Sequence, residues 1–409
     1  MSADRDVKAT VDLCENFLNK TMELNDLPGL VIGLAFGDEE WVGASGVRDV
    51  IDRDPLEKDD VFHCASVSKL LTSTAIMQLF EEGVINIEDR LCNVLPDLEI
   101  EDERWREIRV WQMLSHTSGI GDVDDYHWEE ALTGETALRD YVYSEEVKKL
   151  PLLWAPGEGG FRYSNIAYEM LGHIVAEKSG MSYEDYVKEN ILVPAGMMDS
   201  TMKTYERVGG IEGEACPDIT DRIRRLNREA TETGGAENAA AETGGVENES
   251  AETGGPNALW KPMALPHEKL EDRSIAPVKF YPYNRAHGPS STLTSTASDL
   301  LKLGRWHMAG IRCAETGAAD DAGMPLKRDT YGRIITEYAT VPNNGEKMGL
   351  GWFMRKKDGH TFYGHEGTDD GFRASLWICP ELETTITVIS NLSGAPVKKI
   401  NKQLFAELY

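Results

Sequence analysis

The N-terminal stretch changes from a helical to a strand-like spacing of apolar residues. Residues 7–24 carry apolar side chains at the spacing of an amphipathic helix, with charges throughout. Apolar and β-branched residues then fill 29–36 and 41–47, and a polar turn sequence lies between them at 37–40. Two such runs joined by a short turn predict a β-hairpin that follows a first helix.

The C-terminal stretch predicts more strands and a second terminal helix. Four short runs of apolar and β-branched residues indicate strands at 349–356, 361–364, 372–379 and 384–390. Pro396 lies in the first-turn position that proline tolerates and opens a last helix that reaches Leu408. We therefore expect both chain ends to build one mainly antiparallel sheet, flanked by the N- and C-terminal helices.

Between these ends the pattern is mostly helical, from Ser66 to about Trp306. A chain of 409 residues exceeds the size at which a single core stops growing, so two subdomains are expected. The predicted fold class is α/β, of the α+β kind. Residues 1–64 and 345–409 are predicted to form the sheet subdomain, and residues 65–344 the mostly helical one.

Residues 229–256 form a low-complexity insertion in the helical part. Within it the sequence Glu-Thr-Gly-Gly recurs every ten residues, at 232–235, 242–245 and 252–255. A segment rich in Glu, Gly and Ala buries too little apolar surface to offset the entropy lost on ordering. The prediction is a disordered acidic loop, and a role as a lid or partner-binding tail is left open.

Charge and cysteine content narrow the function classes. A formal net charge of −28 argues against nucleic acid and anionic membranes as partners, because both would repel the chain. No apolar leader or membrane span is visible, and the six cysteines are scattered as expected of reduced thiols, which predicts a cytoplasmic protein. Neither the nine histidines nor the glycine-rich sequences match a metal or phosphate motif, so no metal or cofactor is predicted. The oligomeric state is left open.

The first candidate for chemistry is an S-x-x-K motif formed by Ser66 and Lys69, at the start of an apolar helical run. The i, i+3 spacing places both side chains on one helix face, where the amine can take the hydroxyl proton. A second S-x-x-K, at Ser200 and Lys203, follows a loop-like sequence, so Ser66 is the preferred nucleophile. The alternative for Ser66 is an ordinary helix N-cap.

Two further motifs follow in the sequence. Tyr163 and Asn165 lie just ahead of an apolar helical run that begins at Ile166. His365 follows a strand-like segment and begins the single H-x-G of the chain. Taken singly, these are ordinary structural residues, such as a buried tyrosine or a capping asparagine. Their combination and order favour a serine acyl-transfer site.

With these motifs the chain resembles the family of penicillin-binding proteins, class C β-lactamases, D-alanyl-D-alanine carboxypeptidases and the esterases built on the same fold. The resemblance extends from about Gly29 to Asn391 and includes further segments in the family's order, at 114–119, 163–172, 194–197, 291–301 and 349–352. It implies a β-lactamase/transpeptidase-like fold. It does not select a substrate.

The resemblance also implies roles for individual residues. Ser66 would be the nucleophile, Lys69 and Tyr163 would share the general-base role, and Tyr163 would return the proton to the leaving group. The oxyanion hole would consist of the backbone amides of Ser66 and of Thr368, the residue after Gly367 on an edge strand.

Two more roles follow from the same likeness. Asn165 would hold the amide on the acyl side of the substrate, and His365 would orient or electrostatically tune Tyr163. Lys69 has to lose proton affinity to act as a base, which burial beside other donors can bring about.

The third motif departs from the lysine, threonine or serine, then glycine of many relatives. His365 and Glu366 occupy the first two positions, and Asp369 and Asp370 follow. If these acids face the pocket, they should repel a substrate carboxylate and favour neutral or cationic substrates. Alternatively the acids point to solvent, and Arg373 could supply the missing cation.

The leading hypothesis is a serine hydrolase that works through an acyl-enzyme on small ester or amide substrates, as an esterase or as a peptidase for D-amino acid derivatives. A β-lactamase or D-alanyl-D-alanine carboxypeptidase is the alternative with the same mechanism. A non-catalytic binding protein of the same fold is the alternative of another class.

Overall fold

A computed structural model describes residues 6–123, 125–128, 132–203, 262–278, 281–320 and 323–409. The predicted loop at 229–256 lies outside these ranges. The helices are α1 (Val7–Asn25), α2 (Ser68–Glu81), α3 (Leu91–Val94), α4 (Val110–Leu114), α5 (Ala137–Val142), α6 (Glu145–Lys148), α7 (Asn165–Ser179), α8 (Tyr183–Val187), α9 (Gly288–Ser291), α10 (Ala297–Thr316), α11 (Arg328–Ile334) and α12 (Val397–Leu408).

The strands come mainly from the two chain ends. They are β1 (Gly29–Phe36), β2 (Glu39–Gly46), β3 (Phe62–His63), β4 (His267–Lys269), β5 (Ile275–Pro277), β6 (Thr294–Ser295), β7 (Ala339–Thr340), β8 (Lys347–Met348), β9 (Phe353–Lys357), β10 (His360–Asp369), β11 (Phe372–Cys379) and β12 (Thr384–Ser390). Eight of them form one sheet in the order β2-β1-β12-β11-β10-β9-β8-β7. Every pairing in this sheet is antiparallel, which confirms the predicted sheet.

The sheet is covered on both faces, which explains the continuous apolar run of β1. Leu30, Ile32 and Leu34 pack with α1 and α12 in one core, so the two terminal helices flank the sheet as expected. Val31 belongs to a second core that continues into the helical part. Helix α10 packs on this second face, against β1, β11 and β12. Burial on both faces removes the alternation of polar and apolar residues that a one-sided sheet would show.

Helix α2 lies at the centre of the helical part. All residues from Ser68 to Met77 are buried, including Lys69. Helices α7 and α9 pack against it. A helix that is buried on all sides is held by its neighbours rather than by one apolar stripe.

The strand predicted at 349–356 is interrupted. The chain turns at 349–352 between β8 and β9, and Gly351 has a φ of +84°, in the left-handed region that favours glycine. A Cβ atom at Gly349 would lie 2.1 Å from the carbonyl oxygen of Ile334. This close backbone approach explains why the segment does not continue as one strand. The sheet also takes in β7, which lies ahead of the predicted boundary at 345.

Among the described residues, no helix combines the length and the apolar character needed to cross a membrane.

Gly172 in α7 should be far less tolerant of alanine than a typical helical glycine. A Cβ atom there would lie 1.9 Å from Cγ of Pro289, whereas at the exposed Gly332 in α11 it would meet nothing within 4 Å. We expect Gly172→Ala to lower the free energy of unfolding by about 1–3 kcal/mol through overpacking. Gly332→Ala should raise it by up to about 1 kcal/mol, as in an open helix. Urea unfolding of both variants checks this, and equal effects would contradict it.

Candidate active site

Ser66 lies in a single 3₁₀ turn, Ala65–Val67, which connects β3 to α2. Ala65 adopts a left-handed φ of +48°, an uncommon conformation for a residue with a side chain. The cap position of α2 is Val67, and no side chain caps this helix end. Ser66 is therefore not used as the N-cap, and its half-buried hydroxyl instead meets Lys69.

Lys69 is completely buried and donates to three acceptors from different parts of the chain. Its Nζ lies 3.1 Å from Oγ of Ser66, 2.6 Å from Oδ1 of Asn165 and 2.9 Å from the carbonyl oxygen of Ser290. Burial lowers the pKa of Lys69 to about 8, although the negative charge of Glu169 opposes the shift. The pKa of Lys69 is thus close enough to neutral pH for the amine to both accept and release a proton there.

The second S-x-x-K has a different arrangement. The hydroxyl of Ser200 donates to Asp299 at 2.7 Å, and Lys203 Nζ lies 3.0 Å from a carboxylate oxygen of Asp185. Each side chain of this pair is used in a separate polar contact.

Tyr163 joins the pair formed by Ser66 and Lys69. Its ring stacks on His116 with a centroid distance of 4.3 Å, and Lys69 Nζ lies 4.8 Å from its ring centroid. Burial raises the pKa of Tyr163 well above its usual range, although a hydrogen bond with Ser66 opposes this. The phenol is therefore protonated at neutral pH and can donate a proton.

Asn165 is the first residue of α7, and the helix is capped by the side chain of Ser164. The amide of Asn165 is fixed at both ends, because Oδ1 accepts from Lys69 while Nδ2 donates to Asp122 at 3.3 Å and to the Tyr126 hydroxyl at 3.0 Å. Sequence reasoning missed Asp122 and Tyr126. Both residues lie about forty positions before Asn165 in the sequence. The one available signal was that Asp122 follows the Leu114–Gly119 segment by three residues.

The third motif lies inside β10 rather than after a strand. His365 is buried and its Nδ1 donates to the carbonyl oxygen of Glu366 at 2.7 Å. Burial, and then the charge of Lys69, lower the pKa of His365 to about 3, so the imidazole is neutral. Its ring lies 6.1 Å from the ring of Tyr163, centroid to centroid.

Gly367 allows β10 to approach the turn that carries Ser66. A Cβ atom at this position would lie 2.1 Å from the carbonyl oxygen of Cys64. Strand β10 contacts the Ala65–Val67 turn along this stretch, and the exposed Thr368 follows next. The glycine of this motif is thus required by the close packing of two backbones.

The charged residues in and after the third motif contact different parts of the protein. Glu366 accepts from Nε1 of Trp377 at 2.6 Å, and burial raises its pKa to about 7. The guanidinium of Arg373 donates at 2.7 Å to the backbone carbonyls of Asp369 and Phe372. Arg373 lines a neighbouring groove and not the cavity that holds Ser66.

A cavity of about 560 Å³ brings most of the predicted residues together. Its wall includes six of the predicted residues, namely Ser66, Tyr163, Asn165, His365, Glu366 and Thr368. Asp369, one of the acids that could face either the pocket or solvent, also lines it. Side chains not predicted from sequence form the rest of the wall: Tyr126, Trp128, Phe161, Ser290, Ser291, Val341, Asn344, Glu346, Phe353 and Lys398. In the described ranges, no group of three His, Cys, Asp or Glu side chains is placed to hold a metal ion. The arrangement can exchange a proton between a hydroxyl, an amine and a phenol in a cleft lined by both aromatic and polar side chains.

A profile of the Beta-lactamase family matches residues 15–408. Penicillin-binding protein 4* of Bacillus subtilis is 30% identical over 45% of this chain and 40% of its own length. The match thus spans less than half of that relative.

Solved structures extend the likeness to the whole fold. The octameric penicillin-binding protein homologue of Pyrococcus abyssi aligns with a TM-score of 0.73 at 22% identity, over 99% of this chain and 77% of the other. A D-stereospecific amidohydrolase of Streptomyces sp. aligns with a TM-score of 0.68 at 18% identity, over 98% and 99%. At these identities the comparisons confirm the predicted fold and leave the substrate open.

Glu169 should control the pH range in which Ser66 is reactive. It lies one turn after Asn165, is fully buried, and accepts from Oγ of Ser290 at 2.6 Å. Its negative charge raises the pKa of Lys69, so Glu169→Gln should lower that pKa and shift the rise of Ser66 reactivity to lower pH.

The rate at which a neutral fluorophosphonate labels Ser66, followed against pH, measures this shift. Glu177→Gln is the matched control, because Glu177 is a half-exposed acid on the same helix. An unchanged midpoint in a folded Glu169→Gln protein would contradict the prediction.

Proposed function

Because the chain belongs to the Beta-lactamase family, we propose that it is a serine hydrolase that forms an acyl-enzyme on small ester or amide substrates. The observation that carries this proposal is the 3.1 Å contact between Lys69 Nζ and Ser66 Oγ in the cavity that Tyr163 also lines. Family members are serine hydrolases and acyltransferases, and the activity of this chain is our inference from its own residues.

In the proposed acylation, Ser66 Oγ attacks the substrate carbonyl and its proton passes to the neutral form of Lys69. A pKa of about 8 leaves a minor but sufficient fraction of Lys69 neutral at pH 7. Tyr163, which stays protonated, donates to the leaving group as its bond to the acyl carbon breaks, and Lys69 restores the proton of the phenol. Water then attacks the acyl-enzyme by the same path in reverse.

The developing oxyanion is proposed to bind the backbone amides of Ser66 and Thr368. Two observations support this placement: β10 packs on the Ala65–Val67 turn, and Gly367 removes the side chain that would keep them apart. The N-terminus of α2 begins two residues after Ser66, so its dipole adds favourable potential at the same point.

Asn165 and His365 are proposed to position the reacting groups. Asn165 holds the amine of Lys69 and presents its amide to the acyl side of the substrate. His365, neutral through burial and close to the ring of Tyr163, orients that ring without adding charge.

The acids at the cleft favour esters and amides without a carboxylate. Asp369 and Glu366 both line the cavity, and His365 and Glu366 occupy the positions at which many relatives present a lysine and a hydroxyl. A β-lactam or D-Ala-D-Ala carboxylate would lack that lysine and approach the two acids, while Lys398 in the same wall is paired with Glu346. The Streptomyces D-stereospecific amidohydrolase supports amide substrates as one option within this class. A cytoplasmic location stays a prediction.

Loss of either member of the proposed pair should abolish turnover. We expect Ser66→Ala and Lys69→Ala to lower kcat/KM by at least about a thousandfold, since residues that act as a unit are each indispensable. Lys203→Ala, in the second S-x-x-K, should leave activity within about twofold because its amine pairs with Asp185 at the surface. Mass spectrometry after fluorophosphonate treatment should place the label on Ser66. A folded protein without label would favour a non-catalytic binding protein.

A panel of p-nitrophenyl acetate, D-alanine amide and a chromogenic cephalosporin separates the substrate classes. The ester and the amide should be hydrolysed faster than the cephalosporin, whose carboxylate meets Asp369 and Glu366. Fast cephalosporin turnover without esterase activity would reverse this ranking in favour of a β-lactamase.

A further inference from the structure

Asp369 is the last residue of β10 and lines the same cavity as Ser66. Its side chain is only 12% exposed, so the carboxylate is largely removed from water. A largely desolvated carboxylate in a cleft is costly unless it is held by donors or meets a cation.

Two donors hold the carboxylate, and both reach Oδ2. One is Nε2 of His63, at 2.7 Å, and the other is the hydroxyl of Ser291. Ser291 follows Ser290, whose carbonyl oxygen accepts from Lys69. The position of the carboxylate relative to the proposed nucleophile is therefore set by two adjacent residues of α9.

The ring of His63 engages only one oxygen of the carboxylate. His63 is fully buried, and within the described part of the chain its Nδ1 meets no partner. Its Nε2 and the hydroxyl of Ser291 both reach Oδ2, which leaves Oδ1 for a donor of the substrate.

The nearby cationic side chains are engaged elsewhere. Arg373 donates to the backbone carbonyls of Asp369 and Phe372. Lys69 is shared among Ser66, Asn165 and Ser290. Lys398, which lines the same cavity, pairs with Glu346 at 2.7 Å. In the described ranges, His63 is the one ionisable side chain found within ion-pair distance of this carboxylate. Among the residues that the structure describes, no lysine or arginine side chain pairs with the carboxylate of Asp369, which leaves it to meet a cationic group that enters the cleft.

Aromatic rings form another part of the cavity wall. Tyr126, Trp128, Phe161 and Phe353 line it together with Asp369. Such walls suit an apolar or aromatic group, and ring faces also attract an organic cation.

We propose that Asp369 is a specificity-determining residue that binds the protonated amine of the substrate. The substrate class is then an ester or amide of an amino acid with a free ammonium group and an apolar or aromatic side chain. This inference rests on the proposed hydrolase function and adds to it the charge of the substrate.

The test compares phenylalanine p-nitroanilide, as both enantiomers, with 3-phenylpropanoyl p-nitroanilide, which differs by the amino group alone. At pH 6.5 the wild-type protein should prefer the better phenylalanine enantiomer by about tenfold or more in kcat/KM, the scale of a hydrogen bond to a charged group. The preference should shrink as salt is added. A wild-type protein without this preference would overturn the proposal.

Asp369→Asn keeps the size of the side chain and removes its charge. The preference should disappear, chiefly through a higher KM for the ammonium substrate. Loss of the charge of Asp369 also lowers the pKa of Lys69, but this affects both substrates alike and cancels in the ratio of their kcat/KM values. Asp370→Asn is the matched control, because Asp370 is the next residue, is exposed and is not part of the cavity wall. It should keep the preference. Equal losses for both substrates in Asp369→Asn would show a structural role and overturn the assignment.

Two further measurements keep the outcomes apart. Fluorophosphonate labelling of Ser66 reports on the hydrolase function itself: labelling without an ammonium preference overturns only the role of Asp369, whereas absence of labelling overturns the hydrolase proposal. If Asp369→Asn does not fold, the role of Asp369 is tested instead by how well small ligands slow the labelling of Ser66 in the wild-type protein. 2-Phenylethylammonium should protect Ser66 at concentrations at which phenylacetate does not, and equal protection by both would overturn the proposal.

Discussion

The burial of one amine organises this structure. Lys69 lies in the first turn of α2 and is fully buried, where a charged side chain is unfavourable unless its donors are satisfied. It is satisfied by Ser66, three residues away, by Asn165, 96 residues away, and by Ser290, 221 residues away. Helices α2, α7 and α9 must therefore come together for the amine to be buried at all. The same burial lowers the pKa of Lys69 to about 8 and makes it suitable as a base.

Two acids near this contact, Glu169 and Asp369, accept hydrogen bonds from two adjacent serines. Glu169 accepts from Ser290, and Asp369 accepts from Ser291. The negative charges of both acids oppose the desolvation of Lys69, so its pKa falls only part of the way that burial alone would take it. The residues that hold the site in place thus also set its electrostatics.

In the third motif, Gly367 has a structural role, whereas the adjacent Glu366 departs from the residue that many relatives carry. Gly367 is fixed by the carbonyl of Cys64, which leaves no room for a side chain. Glu366 lies where many relatives present a hydroxyl, and it is accommodated by Trp377 together with the charges of Lys398 and Arg355. The close backbone approach at Gly367 is therefore kept while the side chains beside it differ in charge from those of many relatives. We expect this difference to bear on which substrate enters the cavity.

The sequence by itself determined the elements and the order of the motifs. Apolar periodicity is a local property, so it predicted the antiparallel sheet from both chain ends, the two terminal helices and the helical setting of Ser66. Only the tertiary structure determined the contacts between polar side chains that are far apart in the sequence. Asp122, Tyr126, Glu169 and Ser290 meet the site through contacts that depend on how separate helices pack. The direction of Arg373, away from the cavity, and the inward position of Asp369 depend on strand register and on His63, about three hundred residues earlier. Periodicity fixes which face of an element is buried, whereas the partner of a polar group on that face is fixed only when the whole chain has folded.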